Sequence, residues 1–287
     1  MVAVIEAGGT KTEARIGNRS RSEVRSGAGI NPYFQSDEEI LDRLKVIFTK
    51  ENSGPNAITH AYYYGAGCSH PDQAARVQSC IRTILPDLLV LEVHSDLTGA
   101  ARAVCRNTTG FVGILGTGSN ACIYDGTSIQ SQMVSFGFWL GDEGSGGYLG
   151  KLIFKDWLRN KLPAAVEATI ETLLHFPKEV ALERIYADPN PNKTIASLAR
   201  VAIENKNHPA FRQLIKKSLD DYFEETRHLF ESFQNLTFHF VGSVAWHLSE
   251  EITKQITIRG YQTGKIVSNP SDLLFEYHTE NNYDVKR

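Results

Sequence analysis

The sequence has few cysteines, no long apolar run and no surplus of positive charge. Its four cysteines form no CxxC pair and match no zinc-binding spacing. We therefore expect reduced, structural thiols that are buried in the core. These residues are Cys68, Cys80, Cys105 and Cys122.

Charge and hydropathy disfavour further classes of protein. The formal net charge is −3, and no dense block of lysine and arginine occurs, which argues against a nucleic-acid partner. No apolar stretch approaches the length of a transmembrane span, and no secretory signal pattern opens the chain. We therefore expect a cytoplasmic protein with no membrane partner. The oligomeric state is left open, with a homodimer as one alternative.

The 287 residues do contain a regular alternation of strand and helix patterns, and this length suggests about two domains. Apolar and alternating segments predict strands, whereas capped segments with helical spacing predict helices. Up to residue 108 the predicted order is β-β-β-α-β-α-β-α, which is an α/β pattern. The predicted strands are VAVIEA, KTEARIG, SEVRSG, AITHAYYYGAG and LLVLEVHSD. The predicted helices are SDEEILDRLKVIFTKEN, HPDQAARVQSCIRTIL and one that begins at LTGAARAVC.

A second unit begins near Thr109 with a similar arrangement. The strands TGFVGILG and ACIYDG are joined by the turn GTGSN, and TSIQSQMVS resembles a third strand. A helix-rich region follows, including one long helix in PAFRQLIKKSLDDYFEETRHLFESF. LTFHFVGSVAWHLSEEI then predicts a strand, a turn and a helix, and SNPSDLLFEYH predicts a final capped helix. Equivalent β-hairpins therefore begin both halves, which is a repeat of architecture and not of sequence.

Each predicted hairpin carries glycines and short hydroxyl side chains at its turn, in EAGGTKTE and in GTGSN. Glycine lets backbone amides approach an anion closely, and successive N–H groups form an anion-binding concavity. Paired glycines also end strands in plain turns, so one such segment leaves both interpretations open. Two of them favour binding of a polyphosphate from both sides. The sequence contains no Walker-type loop and no GxGxxG turn after the first strand.

The segment EVHSDLTGAARAV places Asp96 between a predicted strand and a predicted helix. Under one interpretation, Ser95 or Asp96 caps the helix by accepting hydrogen bonds from backbone N–H groups. Under the other, Asp96 projects from the strand end and accepts a proton from a substrate hydroxyl.

Two later segments allow a similar choice between a structural and a functional interpretation. In FGFWLGDEGSGGYLG, Asp142 and Glu143 are either acids at a helix N-terminus or part of a mobile loop that binds sugar hydroxyls. In FVGSVAWHL, Gly242 and Ser243 form either a plain strand-to-helix turn or a surface on which a flat base lies against the backbone.

Four motifs in order along the chain resemble those of the N-acetylglucosamine kinase family: EAGGTKTEARI, HSDLTGAA, ILGTGSNACI with GFWLGDEGSGGYLG, and FHFVGSVA. This family belongs to the sugar kinase, heat-shock ATPase and actin superfamily. The resemblance implies an α/β protein with two ribonuclease H-like (actin-like ATPase) domains, each a mixed five-stranded sheet flanked by helices, with an interdomain cleft for ATP and sugar. The implied domains are residues 1–108, joined by the C-terminal helix 270–287, and residues 109–269.

The resemblance also implies roles for individual residues. Asp96 is the implied catalytic base, and Glu6 and Asp96 are the carboxylates implied near Mg²⁺, either in direct contact or through water. The implied ATP-phosphate ligands are Gly8, Gly9, Thr10, Lys11, Thr12, Gly116, Thr117 and Gly118. The implied adenosine ligands are Gly242 and Ser243. The implied sugar ligands are Asn31, Ser119, Asn120 and Asp142.

The implied activity is phosphorylation of an amino sugar by ATP with Mg²⁺, converting N-acetylglucosamine to N-acetylglucosamine 6-phosphate. Another hexosamine is an alternative acceptor, because discrimination rests on a few contacts around C2 and C3. An energy-transducing ATPase of the 2-hydroxyacyl-CoA dehydratase activator type is a second alternative, although the cysteines do not resemble its cluster-holding placement. A non-catalytic sensor on the same fold is a third. It would be expected to lack Asp96 or the hairpin glycines, and the sequence keeps both.

Overall fold

A computed structural model of the chain describes residues 1–48 and 57–284. Two compact units are present: Met1–Thr108 with Gly126–Ser128 and Asn269–Arg287, and Thr109–Asp125 with Ile129–Ser268. Each unit contains one five-stranded sheet, and both sheets mix parallel and antiparallel pairs. Within the described ranges, no helix combines the length and apolar character needed to cross a membrane.

Unit 1 confirms the predicted β-β-β-α-β-α-β-α order and adds the helix near the C-terminus. Its sheet has the order β3-β2-β1-β4-β5, with β1 antiparallel to β2 and parallel to β4. The strands are β1 Val2–Ala7, β2 Lys11–Asn18, β3 Arg21–Ala28, β4 His60–Gly65 and β5 Val90–Ser95. The helices are α1 Asp37–Ile47, α2 Pro71–Ile84, α3 Asp96–Cys105 and α14 Ser271–Asp284.

Local signals account for where these elements begin and which way they face. Ser36 and Glu39 form a reciprocal capping box at the start of α1, as the sequence predicts. The helix ends at Ile47, and residues 49–52 of its predicted extension lie outside the described residues. In β1 alternate residues such as Ile5 pack in the core shared with α1 and α2. Glu6 therefore faces the opposite side of the sheet, where α3 and α14 pack.

The helix α14 packs against unit 1 next to a buried polar cluster. The Tyr64 hydroxyl lies 2.6 Å from Nε2 of His278 and accepts a hydrogen bond from Arg102 at 2.8 Å. Arg102 also pairs with Glu92 at 3.1 Å. Burial lowers the pKa of His278 to about 3, so its imidazole is neutral at physiological pH. The cluster joins β4, β5, α3 and α14, and thereby fixes the helix that begins at Asp96. Residues 285–287 of the predicted terminal helix lie outside the described residues.

Unit 2 has the sheet order β10-β9-β6-β7-β8. Its strands are β6 Gly110–Leu115, β7 Ser119–Tyr124, β8 Ile129–Gln132, β9 Thr237–Val241 and β10 Gln262–Val267. Its helices before the sheet resumes are α4 Gly137–Leu140, α5 Gly146–Leu158, α6 Glu167–Leu174, α7 Ala181–Ala187, α8 Pro191–Ser197, α9 Ala199–Glu204, α10 Pro209–Glu225 and α11 Arg227–Phe230. The helices α12 Ser243–His247 and α13 Ser249–Ile258 lie between β9 and β10.

Two predictions for unit 2 are wrong in detail. The long helix predicted over 209–233 ends at Glu225, with Thr226 as its C-cap, and the short helix α11 follows. The strand β10 is missing from the predicted elements, since its residues are partly exposed and it forms the sheet edge.

Candidate active site

The first hairpin connects β1 to β2 through a tight turn. The Gly8 N–H donates to the Lys11 carbonyl at 2.9 Å, and Gly9 and Thr10 are exposed at the tip. Gly29 braces the turn: its N–H donates to the Thr10 carbonyl at 3.2 Å. A Cβ at Gly29 would lie 2.4 Å from the Gly9 backbone, so only glycine permits this approach.

Two side chains of this hairpin have distinct surroundings. The Lys11 ammonium pairs with Glu13 at 2.7 Å on the surface, where such a pair contributes little to stability. Thr12 is fully buried, and its hydroxyl has no hydrogen-bond partner among the described residues. A buried polar atom of this kind calls for a partner.

The structure identifies Ser95 as the cap of α3, which is one of the two caps that the structural interpretation allows. The Ser95 hydroxyl accepts a hydrogen bond from the Thr98 N–H at 3.2 Å. Asp96 is the first residue of α3, and its Oδ1 accepts from the Leu97 N–H at 2.8 Å. The helix therefore does not use Asp96 as its cap. Burial raises the pKa of Asp96, against the lowering effect of its backbone hydrogen bonds.

Glu6 shares this carboxylate environment at the end of β1. Burial, together with the charges of Asp96 and Glu13, raises the pKa of Glu6 to about 7. Two desolvated carboxylates that repel each other suit a divalent cation, and Mg²⁺ often uses one or two carboxylates and keeps several waters. Within residues 1–48 and 57–284, no group of three or more His, Cys, Asp or Glu residues could hold a metal. Glu6 and Asp96 therefore fit a largely hydrated Mg²⁺ ion and not one enclosed by protein ligands.

Asn31 lies in a turn of unit 1 after β3. Its Oδ1 accepts from the Tyr33 N–H at 3.1 Å, and its own N–H donates to Oε1 of Gln35 at 3.0 Å. The side-chain oxygen is therefore used within the turn. The amide nitrogen is left as the group that could donate to a ligand.

The second hairpin is held in place by the start of α5. The Gly146 and Gly147 N–H groups donate to the Gly116 and Thr117 carbonyls at 2.8 and 2.9 Å. These two glycines therefore begin α5 and are tied to the hairpin, which agrees with the helix-start interpretation of this segment. Within the turn itself, the Gly116 N–H donates to the Gly118 carbonyl at 3.0 Å.

Asp142 also contacts the second hairpin. Its Oδ1 accepts from the Ser119 N–H at 3.2 Å, and its backbone φ of 63° is in the left-handed region. Burial raises the pKa of Asp142. Asn120 is in β7 and not in the turn, and its Oδ1 accepts from the Ala121 N–H at 2.9 Å. Ser119 is buried, with a hydroxyl that lacks a partner in the described part of the chain.

The turn at Gly242 packs against the same hairpin. A Cβ there would lie 2.3 Å from the Leu115 carbonyl oxygen, and φ is +119°. Its N–H donates to the Val267 carbonyl at 2.9 Å, which links the turn to β10. Ser243 follows as the first residue of α12 and is exposed. The structure thus brings three separate segments, Gly116–Ser119, Asp142 and Gly242, together in unit 2.

Sequence reasoning missed two residues with supporting roles. Gly29 lies within GAGINPYF, and its contact with the hairpin is visible only once the sheet is formed. Lys151 lies on α5 and donates to carbonyls of the segment before Asp142. A lysine among the apolar residues YLGKLIF is the signal that could have identified it.

Sheet order, the paired hairpins and the strand-end carboxylates define an actin-like ATPase fold. No protein-family model matches the sequence, and neither does any curated protein. Solved structures do match. A protein from Porphyromonas gingivalis, provisionally named an N-acetylglucosamine kinase, is 31% identical with a TM-score of 0.90, over 98% of this chain and 100% of that chain. This chain therefore belongs to the N-acetylglucosamine kinase-like family of the sugar kinase, heat-shock ATPase and actin superfamily.

Two more distant structures agree on the fold alone. A protein from Chromobacterium violaceum, also provisionally named an N-acetylglucosamine kinase, is 15% identical with a TM-score of 0.73, over 96% of this chain and 98% of that chain. A ROK family glucokinase from Streptomyces griseus, solved with glucose and AMPPNP, is 14% identical with a TM-score of 0.52, over 98% of each chain.

The packing of Gly242 gives a test of stability. Gly242→Ala should lower the free energy of unfolding by about 1 to 3 kcal/mol, because the new methyl group meets backbone atoms and φ is unfavourable for alanine. Chemical denaturation measures the change. Gly116→Ala is the matched control, since a Cβ there meets nothing within 4 Å. Equal effects of the two substitutions would contradict the packing described for Gly242.

The raised pKa of Glu6 gives a pH dependence. Because the folded pKa of about 7 exceeds the ordinary value of 4.5, the folded state binds more protons between these values. Stability from this group is present below pH 4.5 and is lost as pH rises to 7. Glu6→Gln should therefore be more stable than wild type at pH 8 without divalent cations, by up to about 3 kcal/mol. Denaturation from pH 4.5 to 8 measures it; a pH-independent difference would refute it.

Proposed function

We propose that the protein is an ATP-dependent sugar kinase that phosphorylates an amino sugar, N-acetylglucosamine, at its C6 hydroxyl. The observation that carries this proposal is Asp96, a buried carboxylate at a strand end where Ser95 already provides the cap. Family membership supports the class of reaction, since the Porphyromonas gingivalis relative bears the name of this activity. N-acetylglucosamine 6-phosphate and ADP are the proposed products.

Asp96 is the proposed general base. Its raised pKa makes the ionised carboxylate a stronger proton acceptor, which suits it to a hydroxyl whose oxygen is gaining a bond to phosphorus. In the proposed step the C6 oxygen bonds to the γ-phosphorus while its proton moves to Asp96. The bond from that phosphorus to the bridging oxygen breaks, and the electron pair leaves with ADP.

The two hairpins are the proposed phosphate ligands, through Gly8 to Thr12 and Gly116 to Gly118. Their turns present glycine-rich backbone, and Lys11 is exposed enough to exchange Glu13 for a phosphate oxygen. Glu6 and Asp96 are the proposed carboxylates for a hydrated Mg²⁺. That ion would offset the negative charge on the transferring phosphoryl group. Gly242 and Ser243 are proposed for adenosine.

The proposed sugar ligands have complementary hydrogen-bonding groups. Asp142 uses Oδ1 for Ser119, so Oδ2 can accept from a sugar hydroxyl. Asn31 and Asn120 use their oxygens for backbone N–H groups, so their amide nitrogens can donate. Ser119 contributes a buried hydroxyl without a described partner. Such polar groups discriminate strongly between acceptors, since a wrong sugar leaves them unpaired.

The dehydratase-activator alternative finds no support in the cysteines. All four are buried and outside any disulfide, and none belongs to a group of three or more His, Cys, Asp or Glu residues that could hold a metal within the described part of the chain. Burial raises the pKa of Cys68 to about 12, which is the opposite of what a metal-binding thiolate needs.

The central test is ADP release with a panel of sugars and the variant Asp96→Asn. The panel contains N-acetylglucosamine, N-acetylmannosamine, glucosamine and N-acetylmuramic acid derivatives. Loss of the base should lower kcat on the best sugar by about 10² to 10⁴-fold. Asp87→Asn, at an exposed position, should leave the rate unchanged. Wild-type turnover by Asp96→Asn would reject the base, and no turnover by wild type on any sugar would reject the kinase.

The assignment of Glu6 to the metal has its own test. Glu6→Gln should raise the Mg²⁺ concentration needed for half-maximal rate by about tenfold, because it removes one of two anionic groups near the ion. Rates are measured across a Mg²⁺ titration at fixed ATP and sugar. Glu39→Gln, which alters an exposed carboxylate of the α1 cap, is the control. An unchanged Mg²⁺ requirement would leave Glu6 with a purely structural role.

A further inference from the structure

The segment before Asp142 is attached to unit 2 by few side chains. It contains the short helix α4, Gly137–Leu140, whose neighbour Phe136 and members Trp139 and Leu140 are 63%, 64% and 80% exposed. Phe138 is the member that faces inward, and its ring lies 3.3 Å from where a Cβ on Gly147 would be. A single, partly buried ring is a weak anchor for a segment that leads to a proposed ligand residue.

Lys151 supplies a second anchor. Its ammonium donates to the Phe138 carbonyl, and it lies 3.4 Å from the Gly141 carbonyl oxygen. It also lies over two aromatic rings, 5.1 Å from the Phe138 centroid and 5.4 Å from the Tyr148 centroid. Cation–π contacts of this kind favour a cation held in place. Lys151 therefore connects α5, which fixes the second hairpin, to the Phe138 carbonyl within α4 and to the Gly141 carbonyl directly after it.

Gly141 immediately precedes Asp142, so the backbone that Lys151 holds also sets where the Asp142 carboxylate lies. Asp142 has a left-handed backbone, which a surrounding structure must stabilise. Its other fixed point is the Ser119 N–H. Burial lowers the pKa of Lys151, while the charges of Asp142 and Glu143 raise it, so the ammonium and both carboxylates influence one another.

We infer that Lys151 is a positioning residue for sugar binding: it holds the 137–141 backbone against α5 and thereby orients the Asp142 carboxylate toward the acceptor. This inference rests on the proposed function for the identity of the ligand. The tethering of the 137–141 backbone by Lys151 is a property of unit 2 and does not depend on the proposed function.

Steady-state kinetics of Lys151→Met test the inference in the full chain. The variant should raise KM for the best sugar about tenfold or more, with KM for ATP within about twofold of wild type. Lys151→Arg, which keeps the donors and the charge, should restore part of the loss. Lys155→Met is the control, because Lys155 lies one turn further along the same helix and is exposed. Equal rises in both KM values, or none, would overturn the inference.

A double-mutant cycle separates positioning from a general loss of structure. If Lys151 acts through Asp142, adding Lys151→Met to Asp142→Asn should change KM for the sugar less than about twofold. Full additivity of the two effects would overturn the inference. Thermal denaturation of each variant excludes global unfolding as the cause.

Hydrogen exchange followed by mass spectrometry gives a readout that needs no activity. Peptides covering 137–144 should exchange about fivefold faster or more in Lys151→Met than in wild type or Lys155→Met. An unchanged exchange rate for these peptides would contradict the tethering by Lys151, even if the protein is an active kinase. If wild type phosphorylates no sugar but exchange accelerates, the tether stands and the proposed function fails.

Discussion

The candidate site depends on backbone segments that approach each other more closely than side chains would allow. Gly29 lies against the backbone of the first hairpin, and Gly242 lies against the Leu115 carbonyl at the start of the second. Two further backbone hydrogen bonds join the second hairpin to the start of α5. The turns proposed to bind phosphate are therefore placed by main-chain contacts. Their geometry follows from the sheets and does not depend on flexible side chains.

Electrostatics add a second constraint on unit 1. Ser95 caps α3, and the Asp96 carboxylate at the first position of the helix uses Oδ1 for the Leu97 N–H. Glu6 lies in similarly desolvated surroundings, and the charge of Asp96 makes ionisation of Glu6 less favourable. A protein keeps such a pair at a cost in stability, and functional sites are where costs of this kind concentrate. The presence of this carboxylate pair, and not the glycines of the hairpins, is therefore the feature that supports the proposed catalytic role.

The elements of unit 1 could be predicted from sequence because their signals are local. The Ser36 cap, the apolar run of β1 and the acids of α1 all act within a few residues. The strand β10 could not be predicted, since it is polar and depends on pairing with β9. The choice between Ser95 and Asp96 as cap was open in sequence, as both residue types cap helices. The role of Lys151 could not be predicted because its acceptors belong to a segment about ten residues away. The helical spacing of α5 does not indicate where that segment lies.

The dominance of main-chain contacts has an evolutionary consequence. A site that is placed by main-chain contacts requires small residues at only a few positions, and most other positions can change. Two chains can then diverge widely in sequence while both keep glycine at the same turns of the fold. The Chromobacterium violaceum structure shares the fold at 15% identity, with a TM-score of 0.73. In such an architecture the side chains around the turns can change, while the main-chain contacts that place the turns are left unaltered.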